Sequence, residues 1–279
     1  MVKITITRFY LLIFLSLICL SIFLIFEIRL YLPGFYVFDV GQGDSILIKD
    51  NFGHNILIDG GPDNKVIYKL GKYLPYTNRQ IDLLVLTHPH ADHLVGLLKV
   101  LDRFAVKKII LTGVEYDFRE YEIFKELILN NNISYLIIDS EGIISLDNYF
   151  SLVVLYPDRS LFAQKVKNLN NTSIVLKLIN NDYSILLMGD FEEEEKLVKK
   201  HNLKSDILKV GHHGSITANS LEFLESVNPD YSVISCGLEN KFNHPDSEAV
   251  ANLEKVKSSI WRTDRQGDFT ILLKDLKKN

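Results

Sequence analysis

Two kinds of hydrophobic patterning divide the chain. From Phe9 to Phe26, eighteen consecutive residues carry no charge, with Lys3 and Arg8 before them and Glu27 and Arg29 after. A helix of that length rises roughly 27 Å, against a hydrocarbon core of about 30 Å. The run is longer than the apolar region of a usual signal peptide, and it lacks a small-x-small cleavage site. Cys19 follows Ile18, not the small residue that a lipoprotein site needs. The pattern therefore predicts an uncleaved single-pass anchor over residues 1–32. Positive charge on its short leading side places residues 33–279 outside the cell membrane.

Beyond residue 32 the apolar runs are short and separated by turn signals. Strands are expected at 35–40, 45–49, 55–59, 81–87, 107–111, 133–138 and 150–155. A second group follows at 173–179, 183–188 (joined by a turn at 180–182), 206–210, 231–235, 259–262 and 268–273. Helical periodicity marks 65–73, 94–103, 121–130, 192–200, 221–227 and 247–256. Two groups of strands, each flanked by helices with short connections, predict one α/β domain of two facing sheets with helices outside. About 245 residues suffice for such a core.

Composition narrows the picture modestly. The net charge is −4 and no arginine-rich stripe is present, which argues against a dedicated nucleic-acid-binding module. It does not argue against a nuclease, because metal ions can supply the positive charge a phosphate needs. Cys236 is the only cysteine outside the apolar run, so the domain has no internal disulfide.

The chemistry concentrates in Thr87-His88-Pro89-His90-Ala91-Asp92-His93, where six consecutive residues hold three imidazoles and one carboxylate. Neutral imidazole and carboxylate are ligands for Zn²⁺ or Mn²⁺. The run leaves the carboxyl end of an apolar strand, the edge where α/β sheets place ligands. Five of the eight histidines fall either here or in His212-His213, after another strand. Asp190 also ends an apolar strand; read locally, it is a good N-cap for the helix at 192–200.

The H-x-H-x-D-H run is similar to the signature of the metallo-β-lactamase superfamily of hydrolases. Phe38-Asp39-Val40-Gly41-Gln42-Gly43-Asp44-Ser45, Leu57-Ile58-Asp59-Gly60-Gly61, Asn170-Asn171-Thr172-Ser173, Met188-Gly189-Asp190 and Leu208-Lys209-Val210-Gly211-His212-His213-Gly214-Ser215 follow in an order and spacing that resemble the hydrolase domain of ComEC-type DNA-uptake proteins. The resemblance covers residues 35 to 275. The many-helix membrane channel of such proteins has no counterpart in these 279 residues.

The resemblance implies a four-layer αββα sandwich and one or two ions of Zn²⁺ or Mn²⁺. His88 and His90 would bind one ion and Asp92 and His93 a second, with Asp190 bridging both. One of His212 and His213 would complete the second position. We favour His213, because Gly214 beside it leaves room, with His212 free to contact an anionic oxygen of the substrate. Asp59 would support the metal loop through hydrogen bonds without being a ligand. No histidine occurs from Leu94 to Lys200, where most dinuclear members have one. Asn171 stands in that place as a further oxygen donor, and a nitrogen-poor site admits Mn²⁺ as a competitor to Zn²⁺.

His244 would protonate a leaving oxygen or hold a phosphate. The turn carrying Asp39, Gln42 and Asp44 reads as structural, the run Glu192–Glu195 as a solvated helix face, and His54 and His201 as surface residues. The implied activity is a phosphodiesterase or nuclease acting on DNA, in which metal-bound hydroxide attacks phosphorus while Asp92 and Asp190 orient it. Two alternatives stay open. One is a same-fold hydrolase of a cell-wall or small-molecule phosphoester. The other is a non-catalytic, metal-stabilised partner of a separate membrane channel.

Overall fold

The computed structural model describes residues 2–29, 32–145, 151–179 and 182–276. Asn180 and Asn181 of the expected turn, and Phe150 at the start of an expected strand, lie outside them.

The apolar run folds as the helix Val2–Arg29. Its window Arg8–Ile25 has a mean hydropathy of 2.5 and no part of it is buried against the rest of the chain. Among the described residues it is the single helix long and apolar enough to cross a membrane.

From Gly34 onward the chain builds two seven-stranded sheets. The first runs Phe269–Leu272, Gly34–Val37, Ile46–Lys49, Asn55–Ile58, Leu83–Val85, Lys108–Leu111 and Ser134–Ile137. The second runs Ser259–Arg262, Tyr231–Ile234, Ile207–Lys209, Ser184–Leu187, Val175–Ile179, Ser151–Tyr156 and Gly142–Ser145. Each sheet changes from antiparallel to parallel pairing, the first at Asn55–Ile58 with Leu83–Val85 and the second at Ser184–Leu187 with Ile207–Lys209.

Alternation explains the layering. Phe35, Val37, Ile46, Ile48, Ile56 and Ile58 face the opposite sheet, meeting Ile174, Leu176, Leu178, Ile185 and Leu187 in one buried core. The intervening Tyr36, Leu47 and Leu57 face outward and pack against helices Lys65–Tyr73, Ala91–Arg103 and Arg119–Asn130. The outer face of the second sheet is covered by Glu194–Lys200, Leu221–Val227 and Ser247–Lys255 in the same way. Strands buried on both faces read as near-continuous apolar runs. The result is the expected αββα sandwich.

Four expectations change in detail. The strand at 81–87 divides at Asp82, whose carboxylate accepts from Asn55 N–H at 2.9 Å and pairs with Lys107 at 2.7 Å. Ile81 joins a two-stranded ladder with Val106, while Leu83–Val85 enters the main sheet. The third helix begins at Ala91 rather than 94, so Asp92 and His93 lie in its first turn. Gly142–Ser145 is a strand that no pattern announced, since three of its four residues are exposed. The helix expected from 192 begins at Glu194 with Glu193 before it, which removes the capping reading of Asp190.

Candidate metal centre

Strand ends and glycines bring the polar groups to one end of the sandwich. His88, His90 and Asp92 follow Leu83–Val85, Asp190 follows Ser184–Leu187, and His212 and His213 follow Ile207–Lys209. His212 and His213 adopt left-handed backbone angles, φ 44° and 53°, between Gly211 and Gly214. Asp59 is also left-handed at φ 58°, an uncommon conformation for a residue with a side chain and one that concentrates at functional sites. The turn after it needs glycine, since a Cβ on Gly60 would lie 2.6 Å from the Leu97 nitrogen.

The convergence is tight. Donor atoms of Asp92, His93, Asp190 and His213 lie within 4.8 Å of one another, as do those of His88, His90 and Asp190. Asp190 belongs to both groups, with Oδ2 3.7 Å from His88 Nε2, 3.3 Å from His93 Nε2 and 3.4 Å from His213 Nε2. His213 Nε2 is also 3.4 Å from Asp92 Oδ2. His88 Nε2 faces His90 Nδ1 at 2.9 Å.

The outer nitrogens fix how these rings point. His93 Nδ1 donates to Asp59 Oδ2 at 2.8 Å, and His213 Nδ1 donates to the Ser235 carbonyl at 2.9 Å. His88 Nδ1 lies 3.2 Å from both the Thr87 and the Ser173 hydroxyls. The Thr87 hydroxyl itself donates to Asp59, so it accepts from His88. With Nδ1 protonated in all three rings, each Nε2 presents a lone pair inward, the arrangement of metal-ligating imidazoles.

Electrostatics agree with a pocket for positive charge. Burial opposes protonation of His93 and His213. Even so, Asp190 with Asp59 holds His93, and Asp190 with Asp44 holds His213, well above the ordinary imidazole value. Burial and the neighbouring His93 keep His88 well below it. Asp190 stays well below the usual carboxylate range despite its burial, because His213 and His93 flank it. His93 Nε2, His213 Nε2 and Asp190 Oδ1 are buried with no hydrogen-bond partner. Orphaned inward-facing donors of this chemistry fit a divalent cation.

The remaining expected residues fall around this cluster. Asp59, 1% exposed, accepts from Thr87 N–H at 2.8 Å, the Thr87 hydroxyl at 2.6 Å and His93. His212 is partly exposed, its Nε2 3.9 Å from Asp190 and its Nδ1 2.9 Å from Glu192. His244 stacks near the same rings, with centroids 5.3 Å from His212 and 6.5 Å from His213. Burial and the proximity of His212 push its imidazole down to about 4.

Asn171 is turned away from the donor cluster: its Oδ1 accepts from the Glu192 N–H at 2.9 Å. Asn170 faces His212 and Glu192 instead. His54 pairs with Asp50 and His201 with Glu141, both apart from the cluster.

Several residues of the site carried no assigned role in the sequence. Glu192, read above as part of a solvated face, accepts from Asn168, Asn170, His212 and Thr217. Glu194 of the same run is 4% exposed and accepts from Asn219 and Ser220 N–H groups. The Ser173 hydroxyl accepts from the Asp190 N–H at 3.1 Å. Asp44, in the turn read as structural, lies beside His213 at 3.4 Å. The charge run gave the wrong signal for Glu192 and Glu194, while the motif positions of Ser173 and Asp44 were visible without their contacts.

Fold and donor cluster together define the class: a metal-dependent hydrolase fold with a His/Asp cluster able to bind metal. The chain belongs to the metallo-β-lactamase superfamily, whose family model matches residues 38–238. More particularly, it is similar to ComE operon protein 3 of Bacillus subtilis, 27% identical over 249 residues, and to Competence protein ComA of Neisseria gonorrhoeae, 32% identical over 242 residues. The alignments cover 82% and 83% of this chain, and the chain spans 31% of the length of each relative. Among solved structures, the metallo-β-lactamase fold protein YhfI from Bacillus subtilis superposes with a TM-score of 0.58 at 13% identity, over 86% of this chain and 99% of that one.

Proposed function

We propose that this chain is a membrane-anchored metal-dependent phosphodiesterase acting on DNA, with the Val2–Arg29 helix as its single-pass anchor and the two-sheet domain outside the cell. The observation that carries the reading is the convergence of four imidazoles and the Asp92 carboxylate, from separate strand ends, on Asp190. His88, His90 and Asp190 would hold one cation, and Asp92, His93, Asp190 and His213 a second. Zn²⁺ or Mn²⁺ there supplies Lewis acidity for water activation and charge neutralisation for phosphoryl oxygens.

The protein's own residues have separable tasks. Asp59 keeps the metal loop and the His93 ring in place through its three hydrogen bonds. Glu192 accepts a hydrogen bond from His212 Nδ1 and leaves its Nε2 facing Asp190 Oδ2 at 3.9 Å. His212 and His244, adjacent on the partly exposed side, would contact the scissile phosphate. With its imidazole pushed down to about 4, His244 is neutral near pH 7 and would hold the phosphate by a hydrogen bond rather than supply a proton. Similarity to competence proteins supports DNA as the substrate and supports work alongside a separate membrane channel.

The test is turnover by the full chain in detergent with Mn²⁺ or Zn²⁺, on single-stranded DNA, a chromogenic phosphodiester and a chromogenic lactam. DNA and phosphodiester cleavage that disappears in Asp92→Asn is expected. Equal cleavage by that variant would overturn the assignment, and activity on the lactam alone would replace the substrate class.

A further inference from the structure

Lys209 is 0% exposed, at the end of strand Ile207–Lys209, and Asp44 is 1% exposed. The Lys209 ammonium lies 2.8 Å from Asp44 Oδ2 and donates to the Val210 carbonyl at 2.9 Å. The second oxygen of Asp44 has no hydrogen-bond partner and sits 3.4 Å from His213 Nδ1. The backbone of Asp44 reaches the other side of the cluster, donating its N–H to the Asp92 carbonyl at 3.2 Å. Gly43 before it packs so closely that a Cβ would lie 2.2 Å from the same carbonyl. The Ser235 hydroxyl closes the ring by donating to the Gly43 carbonyl at 2.6 Å.

A buried ion pair is a poor device for stability alone. Removing two charges from water costs as much as their attraction returns, and a well-packed apolar pair of similar volume does as well. A pair retained at this depth, touching two residues of the cluster and none of the solvent, has another use. Its two partners stand 165 positions apart (44 and 209), Asp44 in the turn that enters strand Ile46–Lys49 of the first sheet and Lys209 on a strand of the second, so it forms only when both halves are in register.

We propose that Asp44 and Lys209 are positioning residues of the metal centre: Lys209 anchors the Asp44 carboxylate, and Asp44 holds the His213 ring and the Asp92 backbone so that the Asp92–His93–Asp190–His213 position closes around a cation. The proposal rests on reading the cluster as a metal centre. It assigns a task to the Gly-rich turn, which supplies no donor to either of the two groups that share Asp190.

The test uses the full chain and the metals alone. Asp44→Asn, Lys209→Met and the double variant are loaded with Mn²⁺ or Zn²⁺ and dialysed. Bound ions are then counted, affinity is measured against a chelator, and unfolding is followed with and without metal. Asp44→Asn is expected to lose the weaker of the wild type's ions, or to bind it at least ~10-fold more weakly, within the ~10–100-fold effect of losing a group that orients a ligand. The double variant, which also removes the stranded ammonium, is expected to regain metal-free stability without regaining that ion. Wild-type metal affinity in folded Asp44→Asn would overturn the proposal. Recovery of both stability and the ion by the double variant would also overturn it, because the pair would then act through charge alone. Failure of the wild type to bind any ion is a separate result that removes the metal-centre reading itself.

Discussion

Asp59→Ala is the perturbation whose size follows most directly from the structure. The carboxylate is 1% exposed and accepts from three groups: Thr87 N–H, the Thr87 hydroxyl and His93 Nδ1. Truncation leaves three buried donors without an acceptor, and breaking a buried charge pair by deleting one partner costs about 3–5 kcal/mol. Asp59 also holds φ at 58°. Aspartate and asparagine tolerate that region, and alanine loses roughly 1 kcal/mol more there. The sum is about 5 kcal/mol, a large share of the roughly 5–15 kcal/mol available to a domain.

Asp59→Asn keeps the shape, one acceptor oxygen and the backbone preference, so about 2 kcal/mol is expected from it. Urea unfolding of the metal-free chain, followed by the fluorescence of its single tryptophan, Trp261, measures both. Chelator competition then measures metal affinity, which should fall ~10–100-fold in each variant that still folds. An alanine variant within about 1 kcal/mol of wild type, or no worse than the asparagine variant, would refute the hydrogen-bond accounting.

Three further outcomes are expected. Gly43→Ala should lower metal occupancy, because its Cβ would lie 2.2 Å from the Asp92 carbonyl, whereas Gly53→Ala, with nothing within 4 Å, should cost only the roughly 1 kcal/mol of its left-handed φ; metal analysis and unfolding distinguish the two. Burial pushes the Glu194 carboxyl up to about 7 despite its two backbone donors. The folded state then keeps a proton that the unfolded chain releases near 4.5, so stability falls as pH rises through that window and levels off above about 7. Unfolding of the metal-loaded protein across pH should show a slope, worth up to about 3 kcal/mol, that Glu194→Gln lacks. Cys236 is 0% exposed and burial pushes its thiol up to about 12, so iodoacetamide at pH 8 should leave it unmodified in folded protein and label it in urea, as read by mass spectrometry.

Much of the fold was legible because its two sheets are built from short, doubly buried apolar runs punctuated by glycine and asparagine. The helix Lys65–Tyr73 and the strand Ser259–Arg262 fall where periodicity places them. The failures have local causes. Asp82 interrupts an apolar run because its side chain is needed across the ladder by Asn55 and Lys107. Gly142–Ser145 is an exposed edge strand, so it carries no burial pattern to detect. The donor run His88–His93 was visible because its imidazoles and carboxylate are contiguous. Glu192 was misread for the opposite reason: in sequence it is one of four successive glutamates, and only tertiary contact with Asn168, Asn170, His212 and Thr217 separates it from the exposed Glu195. Burial likewise distinguishes Lys209 from a surface lysine, and no local pattern encodes a partner at position 44.

The same long-range contacts make the site a property of both sheets at once. Ile174 N–H donates to the Thr87 carbonyl at 3.0 Å, His212 N–H to the Gly189 carbonyl at 3.0 Å, and Gly60 N–H to the His93 carbonyl at 2.7 Å. The first of these bonds joins the donor run of the first sheet to the segment entering the second, and Asp190 lies close to candidate donors from each. An unfolded chain cannot present that set of donors. A cation held there binds the native state alone and stabilises it by about 2.7 kcal/mol at one hundred times its dissociation constant. The same inward carboxylates favour the charged form of His93 and His213. Cation and proton therefore compete for one pocket, and lowering the pH weakens metal binding by the same interactions that assemble the site.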